Sequence, residues 1–363
     1  MMRQPALMLV WITTVALLSS CASVRPDAPL PVDPGTAPSA ACGAMGPPRI
    51  VLPLRRDGKT CIYMMAFGDE VSVTKLSDGP GDYDPMLSAD GCVLVYAAGT
   101  QRTINFLDVH SEKTRAVAEV GPGHGIRHPI VSEHGNVLVY VRDSKQVISM
   151  NPLQGTRTVV SQGFAAAGYH GIALSSDGRK VAFSSGHRPH DDGPSTHPTG
   201  ELFVAHPNGS NLVRITRNGP KTKDISPSLS RDGSRVAYMS GNYPNWEIFV
   251  ANTDGTDVRN ISRSKATDTA PAISPDGTKV AFVSDRGGDR EIYLMDFQGE
   301  KIRQLTDNKI QCVNPRFSAD GSVLFFETCA RSSRMDVCAM AVDGSWTRVL
   351  VRDMFGKRKN KKR

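Results

Sequence analysis

The sequence predicts an all-β fold, a β-propeller, and three observations carry that prediction. An Asp-Gly pair, or a close substitute, recurs at Asp90-Gly91, His134-Gly135, Asp177-Gly178, Asp232-Gly233, Asp276-Gly277 and Asp320-Gly321, at spacings of 44, 43, 55, 44 and 44 residues. A serine precedes each pair by two residues (Ser88, Ser132, Ser175, Ser230, Ser274, Ser318), and an aromatic follows each glycine by five (Tyr96, Tyr140, Phe183, Tyr238, Phe282, Phe326). Proline stands three residues before that serine in five repeats, at Pro85, Pro129, Pro227, Pro271 and Pro315. Self-similarity at a fixed period of this length marks stacked supersecondary units.

Taken in chain order, residues 1–20 read as a signal peptide. Arg3 supplies the positive start, and Ala6 to Leu18 is a 13-residue stretch without charge. That is too short to span a bilayer and suits a signal-peptide apolar region. It runs into Leu18-Ser19-Ser20-Cys21, which resembles the bacterial lipobox. The resemblance implies cleavage before Cys21 and acylation of its thiol, a durable anchor because each buried CH₂ contributes about 0.8 kcal/mol. Ala22 follows the cysteine, which in a Gram-negative lipoprotein implies the outer membrane, facing the periplasm. Residues 21–48 are rich in Ala, Pro, Gly and Ser. Such a segment buries too little apolar surface to offset its ordering entropy, so a disordered tether is expected.

The propeller is expected over residues 49–355. In one repeat, Ala270-Pro271-Ala272-Ile273-Ser274 gives a short inner strand with proline where no ladder donor is needed. Pro275-Asp276-Gly277 makes a tight turn. Lys279 to Ser284 forms a second strand with Val280 and Phe282 on one face, Glu291 to Met295 a third, and Ile302 to Leu305 a fourth. Four antiparallel strands in ~44 residues match a propeller blade. Ile62 lies 28 residues before Asp90, just as Ile292 lies 28 before Asp320, so the chain brings an extra outer strand pair ahead of its first Asp-Gly. Either that pair completes the last blade of a six-bladed ring or, with Arg49 to Leu54, it founds a partial seventh blade. Six blades of four strands is the favoured expectation.

The run S-P-D-G-T-K-V-A-F-V-S-D-R at 274–286, E-I-Y-L-M-D at 291–296 and I-R-Q-L-T at 302–306 resemble the WD40-like (PD40) repeat of TolB-type propellers. The likeness extends over roughly residues 62–353. TolB itself also carries an N-terminal α/β domain, for which residues 21–48 are too short. The resemblance implies a channel-mouth surface that docks protein partners such as a peptidoglycan-associated lipoprotein.

Propeller ligands usually meet the inner strands. One residue before the proline position stand Asp84, His128, Gly171, Ser226, Ala270 and Asn314; three before it stand Asp82, Ile126, Tyr169, Asp224, Asp268 and Cys312. Arg127 and His170 lie between the two sets. Pseudo-symmetry would gather Asp82, Asp224 and Asp268 as a cation or basic-peptide site; alternatively they cap turns and strand starts. The expected channel-mouth residues are Asp82, Asp84, Arg127, His128, His170, Asp224, Asp268 and Asn314.

The third repeat has about 11 extra residues, within 185–198. There His187, His190 and His197 with Asp191 and Asp192 could ligate a divalent metal. A Pro/Gly-rich loop of irregular spacing is a poor cage, so a polar loop and no cofactor are expected. Beyond Cys21 the cysteines number six: Cys42, Cys61, Cys92, Cys312, Cys329 and Cys338. An even count outside the cytoplasm suggests disulfides. Cys329 and Cys338 flank a hairpin and are the expected bridge, while the other connectivities stay open.

Setting aside Arg3 and the six basic residues of the tail, which closes the chain at 356–363, leaves 36 basic against 36 acidic residues. The propeller is therefore neutral, which excludes a nucleic-acid-binding face. The tail either aids solubility or contacts anionic envelope groups, at about 1 kcal/mol per basic residue. There is no G-x-S-x-G elbow, phosphate-binding glycine loop or H-E-x-x-H helix. The leading expectation is a non-enzymatic, membrane-tethered scaffold of the cell envelope. The alternatives are a metal-assisted lyase or hydrolase of an envelope or extracellular polymer, drawing on those loop histidines with His128 and His170, and a small-ligand or ion sensor.

Overall fold

A computed structural model describes residues 49–352, except 57–58, 68–70, 80, 99–101, 162–170, 186–199, 218–221, 243, 309 and 330–334. The readings of the signal peptide, Cys21, the tether, Cys42, His170, His187, His190, His197 and the basic tail fall outside the described residues. Among the described residues there is no helix long and apolar enough to cross a membrane.

Every described element is a strand, and the strands form seven antiparallel sheets. Blade one holds β1 (Arg49–Arg56), β2 (Lys59–Phe67) and β3 (Val71–Lys75). Blade two holds β4 (Tyr83–Leu87), β5 (Val93–Ala98), β6 (Thr103–Asp108) and β7 (Lys113–Glu119). Blade three holds β8 (Ile126–Val131), β9 (Leu138–Arg142), β10 (Gln146–Met150) and β11 (Arg157–Val159). Blade four holds β12 (Ile172–Leu174), β13 (Val181–Ser185), β14 (Glu201–Ala205) and β15 (Val213–Arg214). Blade five holds β16 (Lys223–Leu229), β17 (Arg235–Asn242), β18 (Asn245–Asn252) and β19 (Arg259–Asn260). Blade six holds β20 (Asp268–Ile273), β21 (Lys279–Ser284), β22 (Glu291–Asp296) and β23 (Arg303–Gln304). Blade seven holds β24 (Gln311–Phe317), β25 (Val323–Cys329), β26 (Met335–Ala341) and β27 (Thr347–Val351).

The favoured count of six blades is corrected to seven. The reason is visible at Arg49, whose Nη1 donates to Gly91 O at 3.3 Å, just as Arg235 Nη1 donates to Gly277 O at 2.9 Å. Strand β1 thus matches β17, a second strand. Its blade has its own neighbours instead of completing blade seven. Only six repeats carry the serine-to-glycine turn, so counting turns misses the blade whose described part begins after that position.

The turn works as the spacing predicts, with serine at its hub. In five repeats the serine Oγ donates to the Asp Oδ1 at 2.5–2.6 Å. In all six the same oxygen accepts the backbone N–H five residues on, at 2.9–3.0 Å. The glycine φ values lie between 67° and 74°, where a Cβ would be strained.

The core lies between blades. Alternate residues of a strand point to opposite faces, so Val280 and Phe282 pack against Ile225, Ala237 and Ile248 of blade five. Ala281 and Val283 pack against Cys312, Leu324 and Phe326 of blade seven. Blade one closes the ring: Leu52, Leu54 and Met65 meet Met335 and Val337, while Ile62 meets Leu94 and Tyr96 of blade two.

The expected Cys329–Cys338 bridge is corrected. Both thiols are free, and in the β25–β26 ladder Cys329 faces Met335 while Cys338 faces Phe326. A three-residue offset exceeds the reach of a disulfide. Cys61 and Cys312 are free as well. Cys92 is disulfide-bonded, to a residue outside those described.

Candidate functional site: the channel wall

Five of the six described inner strands carry the same distortion; β12 of blade four pairs without a shift. Register shifts occur between Tyr83 and Met86, Arg127 and Ile130, Ile225 and Ser228, Thr269 and Ala272, and Val313 and Arg316. Inside every shift sit a proline and the residue before it. That preceding residue is left-handed: Asp84 (φ 48°), His128 (52°), Ser226 (55°), Ala270 (51°) and Asn314 (54°), with Gly171 at 132° in blade four. A positive φ is unfavourable for these residues, and α-type geometry before proline is doubly so. Tertiary packing imposes it five times over, as β-bulges next to functional surfaces do. At Gly171 a Cβ would lie 3.1 Å from Ser226 N and Pro227 Cδ of the next blade, which accounts for the exception in sequence.

These bulges turn one set of expected residues into the channel and leave another behind. Asp84, Arg127, His128 and Asn314 are half-buried on inner strands. The His128 backbone N–H makes a long 3.5 Å contact with Asp84 Oδ2 of the preceding blade. Asn314 Nδ2 donates to Glu327 Oε2 at 3.2 Å.

Two further residues join them that the sequence reading missed, Arg316 and Glu327. Burial pushes the His128 pKa down, Asp84 opposes this, and Arg127 and Arg316 add to the fall. Blades three and seven are separated by blades one and two, so His128 and Arg316 sense each other across the channel. Solvent reaches Arg316, yet protein encloses it closely enough to lower its pKa, with Glu327 opposing. Burial raises the Glu327 pKa, against the Asn314 hydrogen bond and the Arg316 charge. Neither Arg127 nor Arg316 forms an ion pair or donates a hydrogen bond among the described residues. A signal for both missed residues existed. The residue after proline is Met86, Ile130, Ser228 and Ala272 in other repeats, and the residue after the aromatic is Ala97, Val141, Ser184, Met239 and Val283. Only blade seven places charges at these positions.

The expected ring of Asp82, Asp224 and Asp268 is corrected. These side chains are 3%, 0% and 0% exposed and lie in the seams between blades, away from the channel. Asp82 hydrogen-bonds Ser77, and Asp224 hydrogen-bonds Ser240 and Thr216. Ser77 Oγ and Thr216 Oγ1 also accept the N–H of Ile62 and Leu202, at 2.9 and 3.0 Å. Asp268 takes both oxygens to Arg286 Nη2, at 3.2 and 3.1 Å, while that guanidinium lies over Phe282 and Tyr293. Asp82 and Asp224 therefore tie their strand starts to the preceding blade, while Asp268 ties its own to the turn after β21 of the same blade. Burial pushes the Asp224 pKa up to about 6. Among the described residues no group of three or more His, Cys, Asp or Glu is placed to hold a metal ion.

Comparison with known proteins gives the fold its relatives. Residues 189–360 match the TolB beta propeller domain. A putative TolB from Agrobacterium tumefaciens is 20% identical over 70% of this chain and 90% of its own, with a TM-score of 0.54. An oligogalacturonate lyase in complex with manganese is 16% identical over 77% of this chain and 82% of its own, at 0.60. A puromycin-hydrolyzing peptidase from Mycobacterium tuberculosis is 15% identical over 92% of this chain and 58% of its own, at 0.61. At these identities the likeness is one of fold. No curated protein matches the sequence. The repeat within the matched segment recurs in phase back to Ser88, and the chain is accordingly a TolB-like β-propeller.

Proposed function

We propose that this chain is a non-enzymatic interaction scaffold of the bacterial cell envelope, tethered through an acylated Cys21. In this reading it binds a protein or peptidoglycan-linked partner through its channel face. The observation that carries the proposal is the composition of that face. It presents both charge signs (Asp84 and Glu327, Arg127 and Arg316) and a ring of bulged backbone, which suits a surface read by polar complementarity. The TolB-like fold supports it, because a propeller gathers the inner strands of all its blades around a central channel.

The test is crosslinking in intact cells followed by purification of the tagged chain. Recovery of a specific partner that is lost in a channel-face variant is expected; recovery of none overturns the reading. Anchoring is tested separately: Cys21→Ser should move the protein from the membrane to the soluble fraction, and unchanged fractionation would refute the lipid anchor.

A second reading, a metal-assisted lyase or hydrolase, is favoured by His128 on the channel wall and by the fold shared with a manganese-bound lyase. Elemental analysis of the purified protein separates the two. Stoichiometric divalent metal that changes the spectrum or stability of the protein would favour the enzyme.

A further inference from the structure

We propose that the channel wall holds a single carboxylate of a peptide partner on the guanidinium of Arg316, with Arg127 beside it as a second cation. This rests on the scaffold reading and names the chemistry of its contact.

Arg316 follows Pro315 at the end of the blade-seven bulge. It is exposed to solvent, while the protein around it lowers its pKa. It lacks an ion pair or hydrogen bond among the described residues, so all five of its N–H donors are available. A guanidinium presents a rigid fork that matches a carboxylate bidentately, and in an enclosed channel that pairing is screened less than at an open surface. Glu327 is within electrostatic reach of Arg316 but binds Asn314 at 3.2 Å. It leaves the fork free.

The remaining charges select the partner class. Arg127, like Arg316, is unpaired among the described residues; Asp84 and Glu327 balance the two guanidiniums, and burial and both arginines push the His128 pKa down. A polyanion such as an oligouronate would meet two carboxylates for its two arginines. A peptide bringing one acidic side chain among neutral residues meets Arg316 and finds backbone groups at the bulges, whose extra residues are left out of the ladder.

The probes are acetyl-Gly-Glu-Gly-amide, its glutamine counterpart and digalacturonate, titrated calorimetrically into the full chain at pH 7 and low salt. The glutamate peptide should bind at least tenfold tighter than the glutamine peptide and tighter than digalacturonate. Arg316→Gln should abolish that preference, Glu327→Gln should strengthen glutamate binding several-fold, and both variants should melt like the parent. Equal binding of the two peptides, a preference for digalacturonate, or full retention of the preference in Arg316→Gln overturns the proposal. If Arg316→Gln still recovers a crosslinked partner from cells, the carboxylate site fails while the scaffold reading stands.

Discussion

Serine 274 shows how much one hydroxyl does in this fold. It donates to Asp276 and accepts from Lys279 N–H, at 2.5 and 2.9 Å, so its loss orphans a backbone donor near the core and removes one of the hydrogen bonds to the Asp276 carboxylate, which keeps the one from Thr278 N–H. Ser274→Ala should lower stability by about 1–3 kcal/mol, read as a shift in urea midpoint without a change of slope. Asp224 carries the opposite lesson. Its folded pKa of about 6 lies above the ordinary 3.8 because of burial, so the native state favours the protonated form. The stabilisation from that proton is fully present below pH 3.8 and is lost as pH rises through about 6. Asp224→Asn should therefore raise stability near pH 7 by roughly 2–3 kcal/mol, and the gain should vanish by pH 4. A pH series of thermal melts checks both the size and the window. The serine role was legible in sequence because six copies sit in phase. The burial of Asp224 was not, because a carboxylate before a proline reads the same whether it faces a channel or a seam.

At the level of the element, the inner strands explain where sequence reading succeeded and where it failed. Proline at a site needing no ladder donor was legible, and the register shifts place it inside a bulge in five blades. The left-handed residue before it was not, since local preferences of Asp, His, Ser, Ala and Asn ahead of proline point elsewhere. Ala270 tests this directly. With φ at 51°, Ala270→Gly should relieve strain of about 1 kcal/mol and raise stability by a few tenths to 1 kcal/mol, against the general cost of glycine. A decrease would show that the Ala270 side chain matters more for packing than for strain. The β25–β26 hairpin gives a chemical check: alkylation of unfolded, unreduced protein should label both Cys329 and Cys338. Protection of the pair would restore the bridge that the register denies.

The whole molecule depends on contacts between neighbouring sheets, each blade sharing its core with the next. Such stacked units draw stability from their interfaces. Removing residues 49–75 would expose the faces of blades two and seven that blade one covers. That variant should lose its single cooperative melt and bind a hydrophobic dye, whereas a ring complete with six blades would melt as before. Seven was hard to read because the count rests on a blade recognisable in sequence only by its third and fourth strands. The channel cluster was half legible. Asp84, Arg127, His128 and Asn314 follow from repeat phase, but Arg316 and Glu327 stand out only when repeats are compared for what breaks the pattern.

The contact of Leu52, Leu54 and Met65 with Met335 and Val337 has a consequence for biosynthesis. The apolar face of β1 and β2 is among the first parts of the propeller to leave the ribosome, yet its cover is encoded about 270 residues later. At ~5–20 residues per second, that face waits tens of seconds, during which a sticky surface has no native mate. Export in an unfolded state, or a chaperone that shields the early blades, would bridge the delay between the first strand and the last.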